Sequence, residues 1–160
     1  MAEIEELYTL YSRRLYRFLL ALTGNPSVAE ELTQQTFYKA FLHINQYEGR
    51  SGPYTWLCQI AKNTWYTECK KSQRFTDVCV EDFAAADCID DEVIWRDETR
   101  RLACALRELP SPHRDVLILR IYGELPFAEI AALFEKSESW AKVTFFRGKE
   151  RLRRRMEEQK

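Results

Sequence analysis

Histidine is nearly missing from this 160-residue chain: only His43 and His113 occur, and neither neighbours a nucleophile or an acid at a spacing that suggests a catalytic site. Enzymatic function therefore has no candidate residues. The five cysteines (Cys58, Cys69, Cys79, Cys88, Cys104) are odd in number and include no C-x-x-C pair. Their spacings match no zinc pattern, so they read as free thiols, with no metal and no cofactor expected. Also lacking is any apolar run near the roughly 20 residues that cross a bilayer. The opening Met1-Ala2-Glu3-Ile4-Glu5-Glu6 is acidic where a secretory signal would be basic. The expectation is a cytoplasmic protein with no membrane insertion. Strand alternation is absent too, which leaves an all-α chain.

The 46% apolar and 31% charged content is that of a globular protein with a core to bury. Net charge is −1, but the charges are segregated. Residues 1–75 hold 9 Lys/Arg and 7 Asp/Glu, residues 76–98 hold 1 and 9, and residues 99–160 hold 14 and 9. Two mildly basic blocks flanking an acidic strip suggest two polyanion-binding modules and a connection that avoids or imitates the same polyanion.

Helical period organises each block. Ile4, Leu7, Tyr8, Tyr11, Leu15, Phe18, Leu19 and Leu22 recur at three- and four-residue steps, predicting a helix to about Thr23. Gly24-Asn25-Pro26 breaks it, and Ser27 with Glu30 has the form of a capping box opening a second helix over about Val28 to Ile44. A loop from Tyr47 to Pro53 precedes a third helix from Tyr54 to about Lys71. The strip to Asp91 has no sustained period. Beyond it, helices are expected over Glu92 to Leu109, His113 to Tyr122, Phe127 to Phe134 and Ser139 to about Glu157, with Ser137 a candidate N-cap. A short helix, a tight turn and a longer basic helix is the helix-turn-helix layout.

That last helix carries Lys142, Arg147, Lys149, Arg151, Arg153, Arg154 and Arg155, and between Lys142 and Arg155 one acid, Glu150. The start of such a helix enters the major groove and its later cations neutralise phosphate. Ile130, Ala131 and Phe134 are expected to pack on Val143 or Phe145. The segment 47–71 interleaves Tyr47, Tyr54, Trp56, Trp65 and Tyr66 with Arg50, Lys62, Asn63, Lys70 and Lys71, as single-strand binders do. Trp56 reads as core.

These segments together resemble the sigma-70 family, in particular its extracytoplasmic-function (ECF) group of two-domain RNA polymerase sigma factors. Ala29 to Phe41 is similar to the helix that docks on the polymerase clamp, and Tyr54 to Asn63 to the helix that reads and melts the minus-ten element. Leu109-Pro110, Arg114 to Leu117, Glu129-Ile130-Ala131 and Lys142 to Leu152 resemble the minus-35 domain. The resemblance implies a region 2-like helical bundle over 1–75, an acidic linker over 76–95 and a region 4-like helix-turn-helix over 96–160. It implies polymerase docking by Glu31, Gln34 and Gln35. For the minus-ten element it implies a base-capturing loop with Gly49, Arg50, Ser51 and Gly52, and a strand lying along Lys62, Asn63 and Tyr66. Minus-35 contacts would come from Ser139, Lys142, Val143, Phe146, Arg147, Lys149 and Arg151, with a phosphate contact from Arg120. The partners implied are core RNA polymerase, promoter DNA and an anti-sigma protein, with no small-molecule substrate. Gln35 stands where the family usually has an acid, and Thr144 and Gly148 are unusual within a recognition helix. The competing reading is a helix-turn-helix regulator that binds duplex DNA and never engages polymerase.

Overall fold

A computed structural model of the chain describes residues 2–49, 52–72 and 93–158, with seven α-helices and no strand among them. The N-terminal unit comprises α1 (Ala2–Thr23), α2 (Pro26–Leu42), a 3-10 turn (Ile44–Gln46) and α3 (Pro53–Ser72). The C-terminal unit comprises α4 (Val93–Glu108), α5 (His113–Ile121), α6 (Phe127–Leu133) and α7 (Glu138–Glu158). Most of the acidic strip, with Cys79 and Cys88, lies outside the described residues, as do Arg50 and Ser51.

The helix starts follow the chemistry of free amides. The cap of α2 is not Ser27, as the capping-box pattern suggests, but Asn25: its Oδ1 accepts from the amides of Ser27 (2.9 Å) and Val28 (3.2 Å). Pro26 then takes the first helical position, where a missing N–H costs nothing. Gly24, at φ +70°, supplies the left-handed turn that separates α1 from α2. At α7 the expected cap is present, Ser137 Oγ accepting from the Trp140 amide at 3.1 Å.

Leu15, Phe18 and Leu19 of α1, Leu32 and Ala40 of α2, and Leu57 and Ala61 of α3 are buried along one face of each helix. The same contiguous core takes in Val116, Ile118 and Leu119 of α5, Leu125, and Ile130 of α6. The two helical units therefore lie packed together. A smaller cluster of Ala105, Leu106, Leu109, Leu117 and Leu152 ties α4 and α5 to α7.

Within the helix-turn-helix, α6 ends in a Schellman turn. Lys136 N–H bonds the Ala131 carbonyl (2.9 Å) and Glu135 N–H that of Ala132 (3.2 Å), with Glu135 left-handed at φ 57°. Phe134 sets its ring against Trp140 (5.3 Å between centroids) and Phe127 against Phe145 (5.3 Å). Val143, expected as an alternative packing partner, is instead 46% exposed.

Candidate nucleic-acid interface

Position along α7 sorts its residues into two faces. Ala141, Thr144, Gly148 and Leu152, spaced at three and four, are buried against the rest of the unit. Ser139, Lys142, Val143, Phe146, Arg147, Lys149 and Arg151 are all exposed. This division gives Thr144 and Gly148 a physical reason. Neither belongs to the outward face, and Gly148 lets α7 approach α5: a Cβ there would lie 3.1 Å from Leu117 Cδ1 and 3.2 Å from His113 Cβ. Phe146 is 58% exposed, although Phe145 beside it is partly buried and meets it edge to face at 5.4 Å. Phe146 therefore belongs to the outward face of α7 and not to the core.

The cations differ in how free they are. Lys142 has a single ion pair at 3.7 Å to Glu138, one turn earlier. Arg153 pairs with both Glu150 and Glu157, and Arg154 also reaches Glu150 (3.8 Å), so the later cations of α7 are partly neutralised within the helix. Arg155 holds Glu108 at 2.9 Å and thereby clips α7 to α4. Arg120 donates to the Leu125 carbonyl (3.0 Å) and lies 4.4 Å over the Phe127 ring, bracing the entry to α6.

His113, at the start of α5, adjoins this face. Burial pushes its imidazole below the ordinary value, and the Arg151 and Arg147 guanidiniums push the same way. Its Nδ1 is buried without a hydrogen-bond partner. The unfolded chain thus takes up a proton on His113, near pH 6.5, before the folded chain does. Stability present above that pH should fall as pH drops through the lower folded value. Thermal unfolding at pH 7.5 and pH 5.5 checks this: the parent should lose more stability on acidification than His113→Gln, whereas equal losses would remove His113 from the account.

In the N-terminal unit the predicted minus-ten residues gather on and before α3. Gly49 is exposed and left-handed at φ 74°, and Gly52 is partly buried just before α3. Lys62 and Tyr66 lie one turn apart and are half-buried, while Asn63 between them is exposed. Trp56, expected in the core, is half-buried and stacks on Tyr47 at 4.8 Å. Trp65 is buried instead. Lys39 donates to Thr64 Oγ1 (3.0 Å), fastening α2 to α3.

Glu31 and Gln34 are exposed on α2, and Gln35 donates to Glu31 Oε1 at 3.1 Å. Leu32 between them is buried, as the helical period requires. Sequence reasoning missed the later turns of that helix, where Tyr38 (64% exposed), Phe41 and Leu42 leave a row of large apolar groups in solvent. Their helical spacing gives the same signal as a core stripe, and only the structure separates the two. Cys58 is buried, and burial pushes its thiol up to about 12, which makes it inert. No cluster of metal-binding side chains occurs among the described residues, and none of their helices is long and apolar enough to cross a membrane.

Comparison with known proteins gives the same assignment to both units. The family model described as Sigma-70 region 2 matches residues 7–75, and that described as Sigma-70, region 4 matches residues 99–152. The chain is 30% identical to the ECF RNA polymerase sigma factor SigM of Bacillus subtilis over 94% of its own length and 93% of that protein. It is 31% identical to the sigma factor YlaC of the same organism over 96% and 91%. Its fold matches that of the sigma factor RpoE, solved in complex with the anti-sigma factor NepR from Bartonella quintana, with a TM-score of 0.77 at 22% identity over 98% of each chain. The chain belongs to the ECF group of the sigma-70 family: it is no enzyme but an initiation factor, which joins core RNA polymerase and directs transcription from particular promoters.

Proposed function

We propose that the three functional surfaces of this sigma factor are the exposed rows on α2, α3 and α7. The outward row of α7 carries the reading of duplex promoter DNA. The observation behind it is the division of that helix, with Ala141, Thr144, Gly148 and Leu152 inside and Ser139, Lys142, Val143, Phe146, Arg147 and Lys149 outside. Such a row fits the major groove, Arg147 to a base edge and Lys142, Lys149 and Arg151 to phosphates, with Phe146 and Val143 suited to thymine methyls. Lys62, Asn63 and Tyr66 on α3, with the loop 49–52, form the surface for the unpaired minus-ten strand, where aromatic faces stack on bases.

On α2 we assign polymerase docking to Glu31, Gln34 and Gln35, and extend it to Tyr38, Phe41 and Leu42. An exposed apolar row rimmed by polar groups is the usual build of an interface. The chain divides as 1–75, 76–95 and 96–160, an assignment supported by the two regions that the family models match. Elements at minus-ten and minus-35 lie about 25 base pairs apart by their positions, roughly 85 Å of B-DNA at about 3.4 Å per base pair. A connection of some 20 residues reaches at most about 70 Å, enough to let two small units sit at both. We place the factor in the cytoplasm with the polymerase, and give it an anti-sigma protein as restraining partner.

The docking assignment has a direct test. Glu31→Ala with Gln34→Ala should lower affinity for core polymerase several-fold while leaving helicity intact, because neither side chain enters the core. Adding Tyr38→Ala should lower it further, by about 2 kcal/mol if Tyr38 is an anchor. Titration of core enzyme by fluorescence anisotropy reads the affinity, and a triple variant that binds as the parent does would place docking elsewhere.

A further inference from the structure

The cations of α7 divide by whether a carboxylate already holds them. Lys142 pairs with Glu138, Arg153 and Arg154 with Glu150, and Arg155 with Glu108. Arg147, Lys149 and Arg151 have no ion pair among the described residues. Two of these, Arg147 and Arg151, stand one turn apart on α7 and act on the same group, His113 at the start of α5. The two helices are in close contact there, since an ideal Cβ on Gly148 would lie 3.2 Å from His113 Cβ. His113 Nδ1 is buried without a partner, so Nε2 is the nitrogen left to meet a ligand. Among the described residues, the charges acting on His113 are those of Arg151 and Arg147 alone. The carboxylates on the helices packed around it are held elsewhere: Asp115 of α5 by Arg114, Glu108 of α4 by Arg155, and Glu150 of α7 by Arg153 and Arg154.

We propose that His113 and Arg151 together take one phosphate of the promoter duplex, and that His113 gains a proton as the duplex binds, leaving Arg147 to the base edge. In the free chain burial favours the neutral imidazole, and the guanidiniums of Arg151 and Arg147 push the same way. Nothing in that cluster supplies the negative charge that three such groups call for. A phosphodiester does: set against Arg151 and Nε2, it cancels the guanidiniums' push and accepts from the protonated ring. One proton passes from solvent to the imidazole, and no other bond changes. Linkage fixes the sign. The bound imidazole keeps its proton to a higher pH than the free one, so the added affinity is full below the free chain's value and is lost as pH rises through the bound value. A phosphate contact carries no sequence information, so this pair seats α7 on the duplex and does not choose the promoter. The proposal rests on the assignment of the outward row of α7 to duplex DNA.

The full-length chain and a mixed-sequence duplex serve for the test, since a phosphate contact needs no particular bases. Nuclear magnetic resonance follows the ring protons of the two histidines through pH, with His113→Gln telling them apart. Duplex should move the His113 midpoint up and leave that of His43, which caps the end of α2, nearly in place. Arg151→Ala should raise the His113 midpoint of the free chain and shrink the further rise on adding duplex. Read by anisotropy, parent affinity should increase about threefold to tenfold from pH 7.5 to pH 5.5, with a salt slope steeper by roughly one at the lower pH. His113→Gln should show neither change. Circular dichroism at both pH values keeps unfolding out of the comparison. A His113 midpoint that duplex leaves in place, or a His113→Gln chain that gains affinity on acidification as the parent does, overturns the proposal. Lys149→Ala isolates the premise, because it should weaken duplex binding at either pH. If that variant binds as the parent does, the assignment of α7 falls and the proposal with it. If Lys149→Ala is weakened while the His113 midpoint stays put, only the His113 site is wrong.

Discussion

Gly148→Val should destabilise the C-terminal unit by about 2–3 kcal/mol and abolish duplex binding, although position 148 touches no DNA in the proposed reading. The space at Gly148 is already closed by Leu117 Cδ1 at 3.1 Å, His113 Cβ at 3.2 Å and Leu117 Cγ at 3.3 Å from an ideal Cβ. His113 Cβ is bonded directly to the backbone and cannot swing away. Valine adds two further methyls, so α7 must lift from α5 and carry the outward row with it. Alanine meets the same atoms with its methyl alone and gains about 1 kcal/mol of helix propensity over glycine, so Gly148→Ala should stay near the parent. Urea unfolding with an unchanged slope separates the two. A valine variant as stable as the parent would show that α7 does not lie this close to α5.

The second large effect concerns which cation reads bases. Arg147→Ala should cost about 1–3 kcal/mol on the preferred promoter and less on altered sequences, flattening discrimination at one position. Lys149→Ala should weaken all duplexes alike and lower the salt slope by roughly one unit. Arg153→Ala carries a smaller expectation than its charge suggests. Its guanidinium is held by Glu150 and Glu157, and a phosphate would have to displace both. Titrations at two salt concentrations on matched and mismatched duplexes distinguish the roles. Equal loss on every duplex for Arg147→Ala would remove it from base reading.

Much of the architecture was legible because helical period and caps are local. Every predicted helix occurs within two residues of its expected ends, and the Ser137 cap and the turn after Phe134 lie where the sequence puts them. Asn25 and Ser27 are both cap formers two positions apart, and the sequence pattern did not choose between them. Exposure of Tyr38, Phe41 and Leu42 was hidden because an interface stripe and a core stripe share one period. Thr144 and Gly148 looked anomalous until their inward direction was known. Least legible was the packing of the two units against each other. Tyr66 and Asp115 are 49 residues apart, and Arg14 and Gly123 are 109 apart. No local pattern encodes pairings at that range. The resemblance of the segments to the sigma-70 family identified the modules without giving their mutual packing.

In the proposed reading, this chain gives core RNA polymerase a promoter preference through α7. Run-off transcription with core enzyme on a promoter library measures that preference. The parent should yield discrete starts on a subset of templates sharing a minus-35 sequence. Arg147→Ala should broaden that subset at one base position while leaving the polymerase bound. No factor-dependent starts, or an identical subset for parent and Arg147→Ala, would contradict the account.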